Sequence, residues 1–320
     1  MGRARCLAAV MLVALTTAVS AQDYPNRLIK MMHGFPPGGN VDVIARLMAD
    51  EMAKGLGQSI VVEAKPGLAG SLAAEVVARA EPDGYTLLLV PSAHAVTGAI
   101  SKNLKYRPVE DFDWISTVSF YPFVLIVRRD SKIQSLRDLL DAARTNPAKI
   151  TFGSAGLGTI HQMTIEMLAN ATGAKFVHVP YRGEAPALTG LLSGDVDFIA
   201  TTTTLAAARA QAGEVRALAV TSRTRWKELP DVPTIEESGV AGFEVISWSG
   251  VATKSGTPAP VIQRVHAEVQ RAIAVPAVRA RLEGFGGEVR GTTPAEMKAL
   301  VEKQLAQWAR VAKDANIQME

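Results

Sequence analysis

Short apolar segments alternate with amphipathic segments along this chain, and that alternation constrains the fold more than any other feature. Strands are predicted at 28–32, 59–63 and 86–90, with helices at 41–54 and 69–80 between them. This β-α-β-α-β order predicts a parallel sheet with right-handed crossovers and helices on both faces. The apolar side chains of the first helix share one face at helical spacing, and they are Val41, Ile44, Leu47, Met48 and Met52.

A second series of the same kind follows the first, and a helical tail follows the Pro- and Gly-rich stretch 229–242. Two β/α series with such a tail predict an α/β protein with two lobes. The further predicted strands are 123–128, 150–153, 176–180, 196–200, 215–221 and 248–253. The further predicted helices are 136–145, 159–172, 185–192, 205–212, 260–274, 276–284 and 294–315.

The N-terminal residues have the pattern of a secretory signal peptide. Arg3 and Arg5 precede an uncharged run at 6–19, and the small residues Val19-Ser20-Ala21 follow. This pattern predicts export with cleavage after Ala21, so that residues 1–21 are the signal. The alternative is a membrane anchor, but a run of about 14 apolar residues is shorter than the roughly 20 needed to span a bilayer.

Charge and cysteine content exclude several classes of function. The chain has 34 Lys and Arg against 31 Asp and Glu, and two of the basic residues lie in the signal. The mature chain therefore carries 32 basic against 31 acidic residues, a net charge of +1. No basic stripe with interleaved aromatic residues occurs, so we expect no nucleic-acid partner. The one cysteine, Cys6, lies in the signal, which leaves no disulfide and no thiol nucleophile.

The junction after the first strand is the first candidate ligand site. Its sequence is Phe35-Pro-Pro-Gly-Gly-Asn40, in which Gly38 and Gly39 permit unusual backbone conformations and Asn40 is a predicted N-cap. Such a junction directs backbone N–H groups out of the carboxyl edge of a parallel sheet, where carboxylates bind. Asp42, in the first helical turn, is predicted to be structural. A capped turn without a ligand is the alternative.

The second series contains a matching junction with Ser154, Gly158, Thr159 and His161 between a strand and a helix. Two such junctions in two α/β halves suggest two sets of donors that face each other across a cleft. A third loop, residues 91–94, would add Ser92 and His94 at the same edge. The other histidines are predicted to be structural or surface residues, and they are His33, His178 and His266.

Catalytic and metal-binding patterns are weak in this sequence. No serine lies in a G-x-S-x-G nucleophile elbow, and no P-loop occurs. The residues from Gly156 to His161 lack the third glycine of a dinucleotide fingerprint. The histidines lack H-x-x-x-H and H-E-x-x-H spacings. We therefore expect no enzyme activity, no metal and no cofactor.

Short motifs recur along the whole mature chain. They are Tyr24-Pro25, Phe35-Pro-Pro-Gly-Gly39 with Asp42 and Ala45-Arg46, Lys65-Pro-Gly67 with Gly70, Pro82-Asp-Gly-Tyr-Thr86, 154–158, His178-Val-Pro-Tyr-Arg-Gly183 with Pro186-Ala-Leu188, Gly194-Asp-Val-Asp197, 213–221, Leu229-Pro-Asp-Val-Pro-Thr234 and Gly256-Thr-Pro258. Each motif is short, but their order and spacing together are specific. In these motifs the chain resembles the extracytoplasmic receptors of tripartite tricarboxylate transporters, often called Bug proteins.

The resemblance implies a two-lobed periplasmic binding-protein fold, type II-like, with two parallel-rich sheets flanked by helices and joined by two crossover strands. The lobes implied are 22–122, 123–244 and a return to the first lobe at 245–320. It further implies a periplasmic, monomeric receptor that closes on a small carboxylate ligand and then meets transporter subunits in the membrane. One jaw would hold Phe35, Gly38, Gly39 and Asn40, the other Ser154, Gly158, Thr159 and His161, with Ser92 and His94 at the rim.

One position departs from the family pattern. Many relatives place Asp-Asn after the strand 196–200, where this chain has Thr201. An aspartate there could pair with a ligand ammonium group, whereas threonine offers only a hydroxyl. The sequence therefore favours a carboxylate ligand without a cationic group, with Thr201 among its contacts. A periplasmic sensor that feeds a signalling system and, less favoured, an enzyme on the same fold remain alternatives.

Overall fold

A computed structural model describes residues 24–284 and 287–317. The predicted signal peptide, residues 1–21, lies outside the described residues. Strands and helices alternate as the sequence predicts, and most predicted boundaries agree with the structure to within two residues. Among residues 24–284 and 287–317, no helix is long and apolar enough to cross a membrane.

The strands are β1 (Ile29–His33), β2 (Ile60–Ala64), β3 (Thr86–Pro91), β4 (Phe112–Arg128), β5 (Thr151–Ser154), β6 (Val177–Pro180), β7 (Phe198–Thr202), β8 (Val215–Val220), β9 (Ile246–Lys254) and β10 (Glu288–Val289). The α-helices are α1 (Asn40–Leu56), α2 (Ser71–Ala78), α3 (Ala93–Ile100), α4 (Leu136–Thr145), α5 (Ile160–Thr172), α6 (Glu184–Ser193), α7 (Thr203–Gln211), α8 (Ala259–Ala274), α9 (Pro276–Glu283) and α10 (Pro294–Asp314). A 3-10 turn, Leu68–Gly70, precedes α2.

The two predicted sheets are joined through one long strand. The strand order is β2-β1-β3-β9-β4-β7-β5-β6, with β8 and β10 also paired to β4. Up to Pro122, β4 pairs with β9, and from Phe123 it pairs with β7 and β8. The sheet therefore has two halves that share β4, and within each half the neighbours β1, β2, β3 and β5, β6, β7 run parallel. This confirms the predicted α/β class.

Strand register directs the carboxyl ends of both parallel sets toward the point where β4 passes from one half to the other. In the first half, Pro91 at the end of β3 pairs with Ser249, which in turn pairs with Ser119 of β4. In the second half, Thr202 at the end of β7 pairs with Phe123. Because β1 runs parallel to β3, and β5 runs parallel to β7, the two predicted ligand junctions leave the sheet toward this crossing point from opposite sides.

The first helix confirms the predicted apolar face. Ile44, Met48 and Met52 are fully buried against β1 and β3. Burial of such side chains stabilises the fold by about 2 kcal/mol each. The helix ends at Gly57, whose φ of 69° is left-handed and whose N–H donates to the carbonyl of Ala53. A glycine adopts this conformation at little cost.

The C-terminal helix α10 contacts both halves of the molecule. Its early residues Met297 and Val301 pack into the core of the first half. Its later residue Trp308 shares a core with Met163 and Leu168 of α5, in the second half. The tail was expected to return to the first lobe, and α10 packs against the core of the second half as well. The lobe boundaries at 122, 244 and 245 stay predictions.

The elements that the sequence did not predict include α3, the first part of β4 and the short strand β10. Segment 91–94 is not a loop, because β3 continues to Pro91 and α3 begins at Ala93. The first part of β4, from Phe112 to Pro122, carries buried hydroxyls such as Ser119, which bonds to Ser249 at 2.8 Å. Polar residues at these positions hide the strand from a search for apolar segments.

Candidate functional site

Asp42 organises the first junction from inside the protein. Its side chain is only 5 % exposed. Oδ2 accepts hydrogen bonds from the N–H of Gly38 at 2.9 Å and from Arg46 at 3.0 Å, while Oδ1 lies 3.0 Å from Nε2 of the buried His33. The Arg46 bond, the Gly38 N–H and nearby charge lower the pKa of Asp42 to about 2. Asp42 is therefore an ionised structural anchor, as expected.

The same network changes the predicted role of three junction residues. The N–H of Gly38 is not free for a ligand, because it donates to Asp42. Asn40 was expected to cap α1, but the cap is Gly39, with extended backbone and no side-chain capping bond, and Asn40 is the first helical residue. The N–H groups of the first helical turn have no partner within the helix and remain as donors.

The first junction is also held by a close approach of two backbones. A Cβ on Gly34 would lie 2.2 Å from the Cα of Gly70, in the 3-10 turn before α2. The ring of Phe35 lies against Gly70, since a Cβ there would meet the ring at 3.1 Å. Only glycine fits at position 34, and the contact fixes where the Phe35–Asn40 segment leaves the sheet.

The second junction turns around Ser154, which is almost fully buried. Its Oγ accepts a hydrogen bond from the N–H of Gly156 at 3.1 Å and lies 2.6 Å from Nε2 of His178. His178 stacks on Phe152, with ring centroids 4.7 Å apart, and burial lowers its pKa to about 4. The imidazole is therefore neutral at pH 7, and the serine hydroxyl also lies within hydrogen-bond distance of the carbonyl oxygen of Gly156, to which it donates at 3.0 Å.

The helix that follows, α5, begins at Ile160, one residue after the predicted start, and Thr159 is its N-cap. The Thr159 hydroxyl caps α5, where it accepts from the N–H of Gln162, and it donates to the carbonyl of Gly156 at 2.8 Å. The N–H of Gly158, like that of Gly38, is taken by a side chain four residues on, here Oε1 of Gln162 at 2.8 Å. In each junction, therefore, one glycine N–H stabilises the conformation of the loop and is not available to a ligand.

Ser92 and His94, which the resemblance puts at the rim of the cleft, are both buried. Ser92 is buried where the two halves meet, and its Oγ lies 2.7 Å from Oγ of Ser247 on β9. His94 is buried among aromatic rings in the first turn of α3, and its Nε2 lies 2.8 Å from the carbonyl oxygen of Pro108. Burial lowers the pKa of His94 to about 4, so it is a neutral core residue.

Glu184, the first residue of α6, is the site residue that sequence analysis missed. Its Oε1 accepts hydrogen bonds from the hydroxyl of Thr201 at 2.5 Å and from the N–H of Thr202 at 2.6 Å. Nε2 of His161 lies 3.7 Å from the same oxygen. Burial raises the pKa of Glu184, but His161 and the two threonine donors outweigh it and lower the pKa to about 2. Glu184 is therefore ionised at neutral pH.

Tyr121 links the Glu184 cluster to Ser247, where the two halves meet. It is the residue of β4 next to Pro122, and its register partner on β9 is Ser247. Burial raises the pKa of Tyr121, Ser247 beside it lowers that pKa, and the charge of Glu184 raises it further.

The second connection between the halves is held by one threonine. Thr221 Oγ1 accepts from the N–H of Phe123 at 2.8 Å and donates to the carbonyl of Val245 at 2.6 Å. Thr221 is fully buried. Its hydroxyl ties β4 to the segments that leave and re-enter the second half, next to the point where the candidate site converges.

The structure thus brings together one group of predicted residues and separates others from it. The second half brings together at its converging strand ends Ser154, Thr159, His161 and Thr201. Glu184, which the sequence did not predict, and His178, which was predicted to be structural, join them. Phe35, Gly38, Gly39 and Asn40 lie at the corresponding edge of the first half. No group of three or more metal-ligating side chains that could hold an ion occurs among residues 24–284 and 287–317.

A curled sheet in two halves, with polar junctions that converge where the halves meet, defines the class of periplasmic binding proteins. The chain belongs to the tripartite tricarboxylate transporter family receptors, whose family model matches residues 44–317. It is 38 % identical over 314 residues to the UPF0065 protein in the tcbD-tcbE intergenic region of Pseudomonas sp. strain P51. That alignment covers 97 % of this chain and 94 % of the relative.

Solved structures support the same assignment. The periplasmic binding protein BugD is 36 % identical, with a TM-score of 0.80 over 93 % of this chain and 100 % of that chain. The R. palustris protein Rpa4515 with adipate is 33 % identical, with a TM-score of 0.82 over 92 % and 99 %. MatC from Rhodopseudomonas palustris with bound malate is 32 % identical, with a TM-score of 0.79 over 90 % and 99 %.

Proposed function

We propose that this chain is an exported receptor that captures a small carboxylate ligand between its two halves and presents it to the membrane subunits of a tripartite tricarboxylate-type transporter. One observation carries the proposal: strand register directs the two polar junctions toward each other at Pro122 and Phe123. Structural relatives with adipate and malate support the ligand class.

The mechanism is closure of one half on the other. Residues 22–122 with 245–320 would form one lobe and residues 123–244 the other, with β4 and the Thr221–Val245 connection as hinges. In the closed form, N–H groups from the first turns of α1 and α5 would replace the water around the ligand carboxylate. Closure would change the surface of the receptor, so that a membrane partner distinguishes the closed form with ligand from the open form.

The role in this proposal is binding without turnover, although Ser154 and His178 form a close hydroxyl–imidazole pair. Such a pair is the first requirement for a serine nucleophile. Here, however, the Ser154 hydroxyl is 1 % exposed and its oxygen accepts the N–H of Gly156. The same hydroxyl donates to the carbonyl of Gly156, so both of its bonds to that residue shape the loop. Export through the predicted signal at 1–21 places the receptor in the periplasm.

A thermal-shift screen tests the proposal. Residues 22–320 are purified and mixed with mono-, di- and tricarboxylates, aromatic acids and amino acids. A ligand at a hundredfold excess over its dissociation constant adds about 2.7 kcal/mol of stability. A clear rise with one acid, confirmed by calorimetry and without product by NMR, supports a receptor. Product formation would contradict it, and so would the absence of any shift after bound solute has been removed by partial unfolding.

A further inference from the structure

Two leucine side chains are exposed at the edge of the sheet where the candidate site lies. Leu68 and Leu157 are each 63 % exposed, and the next most exposed large apolar residue among residues 24–284 and 287–317, Leu28, is 46 % exposed. Leu68 follows β2 in the first half, and Leu157 follows β5 in the second. A single exposed leucine needs no explanation, but here each half carries one at the carboxyl ends of its parallel strands.

Leu68 lies in a turn whose backbone is strained. The four residues from Gly67 to Gly70 all have positive φ, at 140°, 47°, 51° and 98°. Glycine adopts such angles freely, but for Leu68 and Ala69 the left-handed region is unfavourable, because Cβ comes close to a backbone carbonyl oxygen. A leucine at this position therefore costs stability, and backbone strain of this kind clusters at functional sites.

The surrounding protein holds this strained turn beside the first junction. The N–H of Gly70 donates to the carbonyl of Gly67 at 3.0 Å. Gly70 itself packs directly against the backbone of Gly34 and the ring of Phe35. Leu68 is thus two residues from the contact that fixes the first junction, although its own side chain is mostly exposed to solvent.

The second junction presents Leu157 in a similar way. Leu157 lies between Gly156 and Gly158, whose φ values of 134° and 69° are also positive. The carbonyl of Gly156 accepts from the hydroxyl of Thr159 at 2.8 Å, and the N–H of Gly158 donates to Gln162 at 2.8 Å. Both neighbours of Leu157 are therefore fixed just before the first turn of α5, the turn that would bind the ligand carboxylate.

The position of the two leucines indicates what covers them. In the proposed closed form, N–H groups of α1 and α5 bind the carboxylate, so the loops beside these helices meet the carbons attached to it. Contact with a hydrocarbon would remove both leucines from water, which is favourable. A hydroxyl or ether group in the same place would lose its water without gaining a hydrogen bond from leucine.

We propose that Leu68 and Leu157 are specificity-determining residues that bind the hydrocarbon part of the ligand. The receptor then selects carboxylates with an extended aliphatic or aromatic body over short or hydroxylated acids. This inference rests on the proposed receptor function, because it requires a carboxylate bound between the two halves. The helix N-termini supply the donors, and the leucines supply apolar contacts from opposite halves.

A matched set of acids tests the proposal by calorimetry: butanoate, octanoate, 3,6-dioxaoctanoate and phenylacetate. 3,6-Dioxaoctanoate has the length of octanoate but carries ether oxygens in place of two methylene groups, and phenylacetate has the same number of carbons as octanoate. Succinate and suberate extend the comparison of four and eight carbons to dicarboxylates. Each acid is measured with the wild type, Leu68→Asn and Leu157→Asn. Leu28→Asn, just before β1 at the amino end of that strand, is the matched control.

The wild type is expected to bind octanoate, suberate or phenylacetate at least about tenfold more tightly than the four-carbon acid of its class. Where octanoate is that acid, 3,6-dioxaoctanoate should bind as weakly as butanoate. Leu68→Asn and Leu157→Asn should each weaken the favoured acid about tenfold, which corresponds to about 1.4 kcal/mol, and change the four-carbon acid by less than about twofold. Leu28→Asn should change neither. Preference for phenylacetate identifies an aromatic ligand, and preference for octanoate or suberate an aliphatic one.

The variant at position 68 also separates a binding role from a structural one. Asparagine tolerates the left-handed backbone better than leucine does, so Leu68→Asn should melt at the wild-type temperature or above it. Weaker binding of the favoured acid by a protein of equal or higher stability is the pattern that a binding role predicts. A purely structural leucine would leave that affinity unchanged.

Three results would overturn this inference and leave the receptor function intact. They are wild-type binding of short or hydroxylated acids as tight as that of the eight-carbon acids, leucine variants with full affinity for the favoured acid, and equal weakening of short and long acids. The last result would assign the leucines to contact between the two halves. A wild type that binds no carboxylate of the broad thermal-shift panel would overturn the receptor function itself.

Discussion

The backbone N–H of Gly38 donates a hydrogen bond to Oδ2 of Asp42 over 2.9 Å, so the first ligand junction is shaped by a carboxylate that lies behind it. The same carboxylate holds Arg46 on the surface side and His33 in the core. A residue that would repel a bound anion is thereby neutralised by its partners. The junction can then present its remaining N–H groups to a carboxylate.

Replacement of Asp42 by alanine should loosen this junction. The change leaves the N–H of Gly38 and the ring of His33 without their acceptor, which costs about 2–3 kcal/mol of unfolding free energy. Urea unfolding measures the loss, and Asp50→Ala, at an exposed position on the same helix, should change it by less than about 0.5 kcal/mol. Equal effects of the two substitutions would show that Asp42 is not an anchor.

The stabilising effect of Asp42 should also depend on pH. Its pKa is about 2 in the folded protein and 3.8 ordinarily. Because the folded-state pKa is the lower one, the contribution is present above pH 3.8 and is lost as the pH falls toward 2. The difference in unfolding free energy between wild type and Asp42→Ala should shrink over that window, and a difference that stays constant would contradict the assignment.

His94 should cause a second dependence of stability on pH, at higher pH than that of Asp42. Burial lowers its pKa from 6.5 to about 4, so the unfolded chain binds more protons between these values. Stability should fall as the pH drops through this window, by up to about 3 kcal/mol for such a shift. His178, whose pKa is lowered in the same direction, adds to the slope. His94→Asn should make the decline shallower, and an unchanged slope would show that His94 titrates normally.

Thr221 is expected to be the most sensitive threonine of the hinge. Thr221→Val keeps the shape but leaves the N–H of Phe123 and the carbonyl of Val245 without their partner, at a cost of about 2–4 kcal/mol. Thr221→Ser retains the hydroxyl and should lose less than about 1.5 kcal/mol. Chemical denaturation compares the two. If serine were as damaging as valine, the methyl group and not the hydroxyl would be the important contact.

Much of the fold could be predicted because its signals are local. The face of α1 with Ile44, Met48 and Met52 is predictable from spacing alone, and the position of Thr159 at the start of a helix follows from its place after a strand. The first part of β4 was not predicted, because it contains serine and threonine residues that give the segment a polar sequence. In the structure their hydroxyls are buried, and that of Ser119 pairs with a hydroxyl on β9. Such pairing depends on a strand more than a hundred residues away.

The candidate site was likewise predicted where its sequence signals are local and missed where they depend on distant residues. Sequence analysis found the junctions themselves, because glycines and small polar residues between strand and helix are local features. It missed Glu184, at the start of helix α6, because its partner Thr201 lies 17 residues away on strand β7 and is brought to it only by the fold. It misplaced His94, because a histidine after a strand has the same sequence signature whether its ring turns toward the cleft or into the core.

The most direct test of the account is a distance measured across the two halves. The predicted mature chain has no cysteine, since Cys6 lies in the signal, so Lys65→Cys and Arg182→Cys can be labelled specifically. Both positions are exposed and follow converging strand ends, β2 in the first half and β6 in the second. A control pair, Lys65→Cys with Lys102→Cys, lies within the first half.

Single-molecule energy transfer would be recorded without ligand and with the acid that gives the largest thermal shift, after verification that the labelled protein binds it. The account predicts that the acid shortens the distance between positions 65 and 182 and leaves that between positions 65 and 102 unchanged. An acid that binds tightly while the 65–182 distance stays constant would contradict capture by closure of the two halves.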